Sequence, residues 1–189
     1  MGRGRKKKRE LKITTKDRKL LQAIAKTGRT TKDLAKKYYK TKEKRLYRLV
    51  KENILEKEPF IDKNKGTYCY RLTTKGKRWV KQNLANVNIL YKPSNMGAKH
   101  DIKLFEKFGQ LTEKEQDIAL TEGDISKKYG NLDYTSPPDM LIPKSENTDI
   151  KIIEVITSTY TSKDIKAKND YVKDLINEKK EVIDFEKTI

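Results

Sequence analysis

The sequence predicts an α+β unit followed by an α/β unit, on three observations. Charge divides the chain: residues 1–86 hold 29 Lys and Arg against 8 Asp and Glu, whereas residues 87–189 hold 16 against 19, so the net +18 belongs to the first part. Apolar residues up to Asn53 recur at helical spacing and then give way to an extended run with a polar turn. Beyond Lys99, short strand-like stretches alternate with helical ones. The Pro, Ser, Asn and Gly of 92–97 mark a hinge between the two regimes. The expected divisions are a basic arm at 1–13, a folded unit at 14–90, a linker at 91–98 and a second unit at 99–189.

Composition narrows the classes. With 34% hydrophobic and 38% charged residues, each core must be modest and its surface densely charged. Cys69 is the only cysteine, which excludes an intrachain disulfide and a cysteine-based zinc knuckle and points to a reducing compartment. His100 is the only histidine, so a multi-histidine metal site is excluded as well. No glycine-rich run ends in Lys-Ser or Lys-Thr, which argues against a nucleotide-driven motor. No apolar run reaches the length of a membrane span, and the basic start lacks the apolar core of a signal peptide. The expectation is a soluble cytoplasmic protein with no membrane partner.

Taken in order, residues 1–9 carry six basic side chains and two glycines. They read as an arm for phosphates or a minor groove, with Arg3 and Arg5 as its contacts, or as a solubilising tail. Leu20, Leu21 and Ile24 give a helix over 15–26, capped by Thr14 or Thr15 and stopped by Gly28. A second helix over 31–39 turns Leu34, Ala35 and Tyr38 inward. A third over 42–53 puts Leu46, Leu49 and Val50 on one face and leaves Lys42, Lys44, Arg45 and Arg48 largely for the other. Asn53 suits a left-handed cap, and strands over 54–57 and 67–72 flank a turn at 62–66 that carries Lys63 and Lys65. Thr73 or Thr74 then caps a closing helix through Trp79 and Val80.

Three helices, a basic hairpin and a closing helix, with Leu72-Thr73-Thr74-Lys75-Gly76 after the hairpin, resemble the winged helix-turn-helix family over about 14–83. That resemblance implies double-stranded DNA as partner. It places the third helix in the major groove, with Lys42, Lys44, Arg45, Tyr47 and Arg48 as groove residues and Lys63 and Lys65 on the wing.

The second half reads as a helix over 99–109 and a strand over 118–122, then a short helix over 124–129 and strands over 138–142 and 150–156. A helix over 161–177 and a strand over 181–185 complete it. Its order resembles the core of the PD-(D/E)xK nuclease superfamily. By that resemblance Glu122, Asp139 and Glu154 are catalytic acids, Asp139 and Glu154 being ligands for Mg²⁺, whose hard charge would polarise a phosphate. The lysine normally found two residues beyond the second acid is here Ile156, so Lys163, Lys166 or Lys168 of the next helix would have to supply the amine. Each acid also has a structural reading: Asp139 in a turn that begins a strand, Glu154 as an inward charge guarding a sheet edge, Glu122 at a helix entry.

His100-Asp101 at a helix start, Pro138-Asp139 and Glu154-Val155 resemble a narrower family, the replication-relaxation proteins of Gram-positive plasmids and mobile elements. This adds His100 as a catalytic candidate beside its reading as a helix cap. It implies a protein of a plasmid, phage or conjugative element, acting in replication, relaxation or mobilisation of DNA. Its nuclease-like part would serve assembly, as a homodimer or with a partner relaxase or replication protein. An active Mg²⁺-dependent endonuclease and a winged-helix transcription regulator are the alternatives.

Overall fold

Thr14 accepts the Asp17 amide while the Asp17 carboxylate takes the Thr14 amide at 2.7 Å, a reciprocal box that starts helix α1 (Thr15–Thr27). These coordinates are a computed structural model, which describes residues 11–62, 65–93, 97–129, 137–144, 150–156, 160–179 and 183–188, with side chains up to Asp174. Gly28, at φ 94, ends α1 where a side chain would be strained and would press on the Asp101 carboxylate. A three-residue strand β1 (Arg29–Thr31), not expected from the sequence, follows, and Thr31 caps α2 (Lys32–Tyr39). Helix α3 (Glu43–Lys51) starts without a side-chain cap, because Lys42 stands at its N-cap; Thr41, one residue earlier, is buried and its hydroxyl donates to the Tyr39 carbonyl.

Asn53, at φ 57, turns the chain into β2 (Leu55–Asp62), which pairs antiparallel with β3 (Lys65–Leu72) along its whole length. The hairpin is longer than expected: Asp62 and Lys65, read as turn residues, form its last pair. Strand β1 joins the other edge of β3, giving the order β1-β3-β2. Thr73 caps α4 (Thr74–Asn83) by accepting the Gly76 amide at 3.0 Å. Gly76 lies so close to β2 that a Cβ there would collide with the Ile54 carbonyl oxygen.

Helix α5 (Ala98–Gln110) buries Leu104, Phe105 and Phe108. The strand expected over 118–122 shrinks to two residues. Thr112 and Glu115 form a second reciprocal box that opens α6 (Glu113–Ile118), leaving only Leu120–Thr121 for β4, and Glu122 begins α7 (Glu122–Tyr129) instead of ending a strand. The alternation of Ile118 and Leu120 is local, whereas the box satisfies two helix-end donors, and the box wins.

Strands β5 (Met140–Ile142) and β6 (Ile150–Val155) follow, then helix α8 (Ser162–Lys179) and strand β7 (Ile183–Thr188). The sheet runs β4-β5-β6-β7, antiparallel through β6 and parallel between β6 and β7, the pair that α8 connects. Among the described residues the protein is thus a mixed α and β fold of eight α-helices and two small sheets, one antiparallel and one mixed. None of these helices is long and apolar enough to cross a membrane.

One apolar cluster runs from Leu20, Leu21 and Ile24 of α1 through Leu46, Leu49 and Tyr70 to Phe105, Phe108, Met140 and Ile153. A smaller one joins Ile125, Leu141, Ile150 and Ile152 to Tyr171 and Val172 of α8. Packing therefore crosses the charge boundary, with α5 against α1, α2 and β1.

Lys26 makes the same crossing with hydrogen bonds. Fully buried, its ammonium donates to the carbonyls of Gln116 at 2.9 Å, Asp117 at 3.1 Å and Ala119 at 2.8 Å, at the C-terminal end of α6. Burial pulls its pKa down to about 8 against the opposing charges of Asp124 and Asp117. Lys26→Met should destabilise the protein by about 1–3 kcal/mol, because carbonyls at the end of α6 lose their donor. Chemical denaturation reads this directly.

Candidate functional site

Helix α3 presents the first candidate surface. Leu46 and Leu49 are fully buried, while Lys42, Lys44, Tyr47 and Arg48 are exposed, Tyr47 at 64%. Arg45, expected among the outward groove residues, is turned elsewhere. Its Nε donates to Asp17 Oδ1 at 2.9 Å, and its Nη2 reaches Asp17 Oδ2 and the Lys12 carbonyl oxygen. The reason is helical phase: Arg45 precedes Leu49 by four residues and so borders the buried face. Burial alone would raise the Asp17 pKa, but bonds from Arg45 and Thr14 and the Arg45 charge leave it lowered.

On the hairpin, Lys65 is exposed, and the Lys57 ammonium sits 3.7 Å from the centre of the half-exposed Tyr68 ring. Arg3, Arg5 and Lys63 lie outside the described residues.

The second candidate is a buried cluster of carboxylates and cations. Pairing of Met140 with Ile153 sets Asp139, just before β5, beside Glu154 of β6. The Asp139 amide donates to Glu154 Oε2 at 3.0 Å, and the Val155 amide donates to Asp139 Oδ2 at 2.8 Å. His100 of α5 reaches the same Asp139 oxygen with Nε2 at 3.1 Å, and its Nδ1 is 3.3 Å from the Tyr91 hydroxyl. Beside it, the wholly buried Asp101 carries Oδ1 3.6 Å from His100 Nδ1 and is paired with Arg29 of β1.

On the far side, Lys168 of α8 holds its ammonium 3.2 Å from Glu154 Oε1 and donates to the Pro137 carbonyl at 2.7 Å. The Tyr160 hydroxyl donates to Glu154 Oε1 at 2.8 Å. Lys163 and Lys166 are exposed. Glu122 meets the cluster through its backbone, its amide donating to the Asp139 carbonyl at 3.2 Å.

The charges follow from this crowding. Burial raises the Glu154 pKa and the nearby Asp139 charge adds to it, against Lys168, Tyr160 and the Asp139 amide. Glu122 is raised for the same two reasons, with Lys168 and His100 opposing. For His100, burial favours the neutral ring, but bonds and charges from Asp101 and Asp139 overcome it and lift the pKa to about 10. At neutral pH the ring is therefore an imidazolium and a donor at both nitrogens. Among the described residues no group of three His, Cys, Asp or Glu side chains is placed to hold one metal ion.

No protein-family model, curated protein or solved structure matches the chain. The residues themselves carry the functional reading. The structure brings His100, Asp139, Glu154 and Lys168 together, with the Glu122 backbone at their edge. It adds Arg29, Tyr91, Asp101 and Tyr160, for which the sequence offered one signal, the Asp next to His100.

Asp17→Asn should lower stability at neutral pH by about 1–2 kcal/mol, the worth of a hydrogen bond to a charged group. A carboxylate whose native pKa is lowered stabilises fully above its unfolded value and loses that contribution as pH falls through the native value. The gap between wild type and variant should therefore hold from neutral pH down to about 4 and close below it. Denaturation midpoints across that range check the sign.

Proposed function

We propose that the chain binds double-stranded DNA through its first half, in the manner of a winged helix-turn-helix protein. The observation that carries this is α3, whose Leu46 and Leu49 are locked in the core while Lys44, Tyr47 and Arg48 face outward, next in sequence to an exposed hairpin. Order supports it too: helix, short strand, two helices and a hairpin whose inner strand pairs with that short strand. Affinity comes chiefly from phosphate neutralisation, given 29 basic residues in the first 86, and so falls steeply with salt. With the resemblance to replication-relaxation proteins, this makes the chain an auxiliary DNA-binding protein in replication, relaxation or mobilisation of a plasmid, phage or conjugative element. Its nuclease-like second half serves assembly, as a homodimer or with a relaxase or replication partner.

A second reading, Mg²⁺-dependent cleavage of DNA, is favoured by one observation: Lys168 puts an ammonium beside Glu154 although position 156 is isoleucine. Two adjacent carboxylates suit Mg²⁺, which takes one or two protein ligands and completes its shell with water and phosphate oxygens, so Asp139 and Glu154 would hold it. When bound, the ion would act as a Lewis acid and make a bound water more acidic. Lys168 keeps a positive charge at Glu154 for a phosphate oxygen or the attacking water. Tyr160 orients the same carboxylate. His100, with Nε2 3.1 Å from Asp139 Oδ2, would hold that carboxylate in place.

Two measurements separate the readings. Charge reversal at Lys44 and Arg48 should weaken duplex binding at least about tenfold, roughly the worth of one lost contact, whereas Lys173→Glu on α8 should leave it unchanged. Equal losses would remove α3 from the interface. With Mg²⁺ and supercoiled DNA, nicking by wild type should disappear in Asp139→Ala, Glu154→Ala and Lys168→Ala but persist in Lys166→Ala. Wild type that binds without nicking would leave the assembly role alone.

A further inference from the structure

Between the start of α1, the turn from α2 to α3 and the first turns of α3 lies a cleft of about 380 Å³. Its back wall is Asp17 with Arg45, and the cations around it are Lys16, Lys40, Lys42, Lys44 and Arg48. We propose that this cleft is a phosphate seat that takes consecutive phosphodiester groups of one DNA strand and fixes the register of α3 in the groove. The inference rests on the DNA-binding reading and specifies which surface holds the backbone.

The electrostatics of the wall come first. Asp17 is the only acid lining the cleft among the described residues, and Arg45 already pairs with it. Among the described residues none of the other five cations forms an ion pair, and the Lys40 ammonium meets only the Lys37 carbonyl, at 3.3 Å on the surface. Like charges gathered around a concavity repel one another, and a polyanion relieves that repulsion while releasing its own counterions. The fixed Arg45–Asp17 pair keeps the back of the cleft rigid, so the seat exists before its ligand arrives.

The backbone supplies an independent observation. Lys40 ends α2 in the left-handed region, at φ 54 and ψ 25, where glycine or asparagine would be unstrained. A strained position is thus filled by a side chain that lines the cleft. Tyr47, exposed and outside the cleft, is left to face bases.

Lys40→Gly tests this, because strain and charge pull in opposite directions. Relief of the left-handed conformation should raise the melting temperature by about 2–4 °C. Binding should weaken by the same factor on two duplexes of unlike sequence, and the log–log salt slope should fall by about one, the share of one phosphate. Lys16→Gln, with no backbone change, should lower the slope equally. Wild type that binds duplex with both variants keeping its slope would overturn the seat and leave the DNA-binding reading standing. Wild type that binds no duplex at all would overturn both. Calorimetric uptake of tripolyphosphate that duplex does not displace would make the cleft a small-ligand site and end its role on DNA.

Discussion

Asp101 is a carboxylate with no exposure to solvent, and the two halves of the protein meet around the cation that makes its burial tolerable. Arg29, in the short strand β1, pairs with it and also reaches Glu58 of the hairpin at 3.2 Å. On its other side Asp101 faces His100, which holds Asp139, which is bonded in turn to the β6 strand that carries Glu154. Charges therefore alternate from hairpin to carboxylate cluster through one buried position. Such a pair adds little net stability over an apolar substitute, but breaking it leaves a bare charge in the interior, so it fixes geometry more than it adds free energy. Gly28 is part of the same constraint, since its missing side chain lets Asp101 approach the end of α1.

Lys26 applies the same logic with neutral partners. Three carbonyls at the end of α6 surround its ammonium, so α1 is tied to the second half at its last turn just as β1 is tied to it through Arg29. Between these ties the side chains of α5 fill the space against α1 and α2. The electrostatic division of the chain near Asn86 and its packing therefore follow different lines. Charge counts report surface, and surface can change sign where the core continues.

What was legible in the sequence was mostly what is local. Thr14 and Thr73 cap the helices they were expected to cap, and Gly28 and Asn53 take the positive-φ backbone that ends α1 and turns the chain after α3. Strand β1 was not legible because three residues have no period; it exists by pairing with β3. No helix was expected where α6 lies, though Thr112 and Glu115 carried its signature. In the cluster, Asp139, Glu154 and His100 could be named but not joined, since register across β5 and β6 and the approach of α5 decide their distances. Tyr160 and Arg29 had no local signal at all. Arg45 was the instructive residue: one position on a helix separates a side chain that faces solvent from one that borders the core.

The choice among the lysines of α8 shows the same rule at work in the carboxylate cluster. A parallel pair such as β6 and β7 needs a crossover, and the crossing helix must pack back on the sheet it connects. Tyr171 and Val172 make that contact, buried among Ile125, Leu141, Ile150 and Ile152. Lys168 stands three and four residues before them and shares their face, whereas Lys166, two residues earlier, is turned roughly to the opposite side. The end of β6 therefore finds an ammonium waiting over Glu154 even though isoleucine stands at 156. The topology makes the position of the cation a consequence of which residues the sheet needs from α8, and any lysine in phase with Tyr171 near that strand end would arrive at the same place.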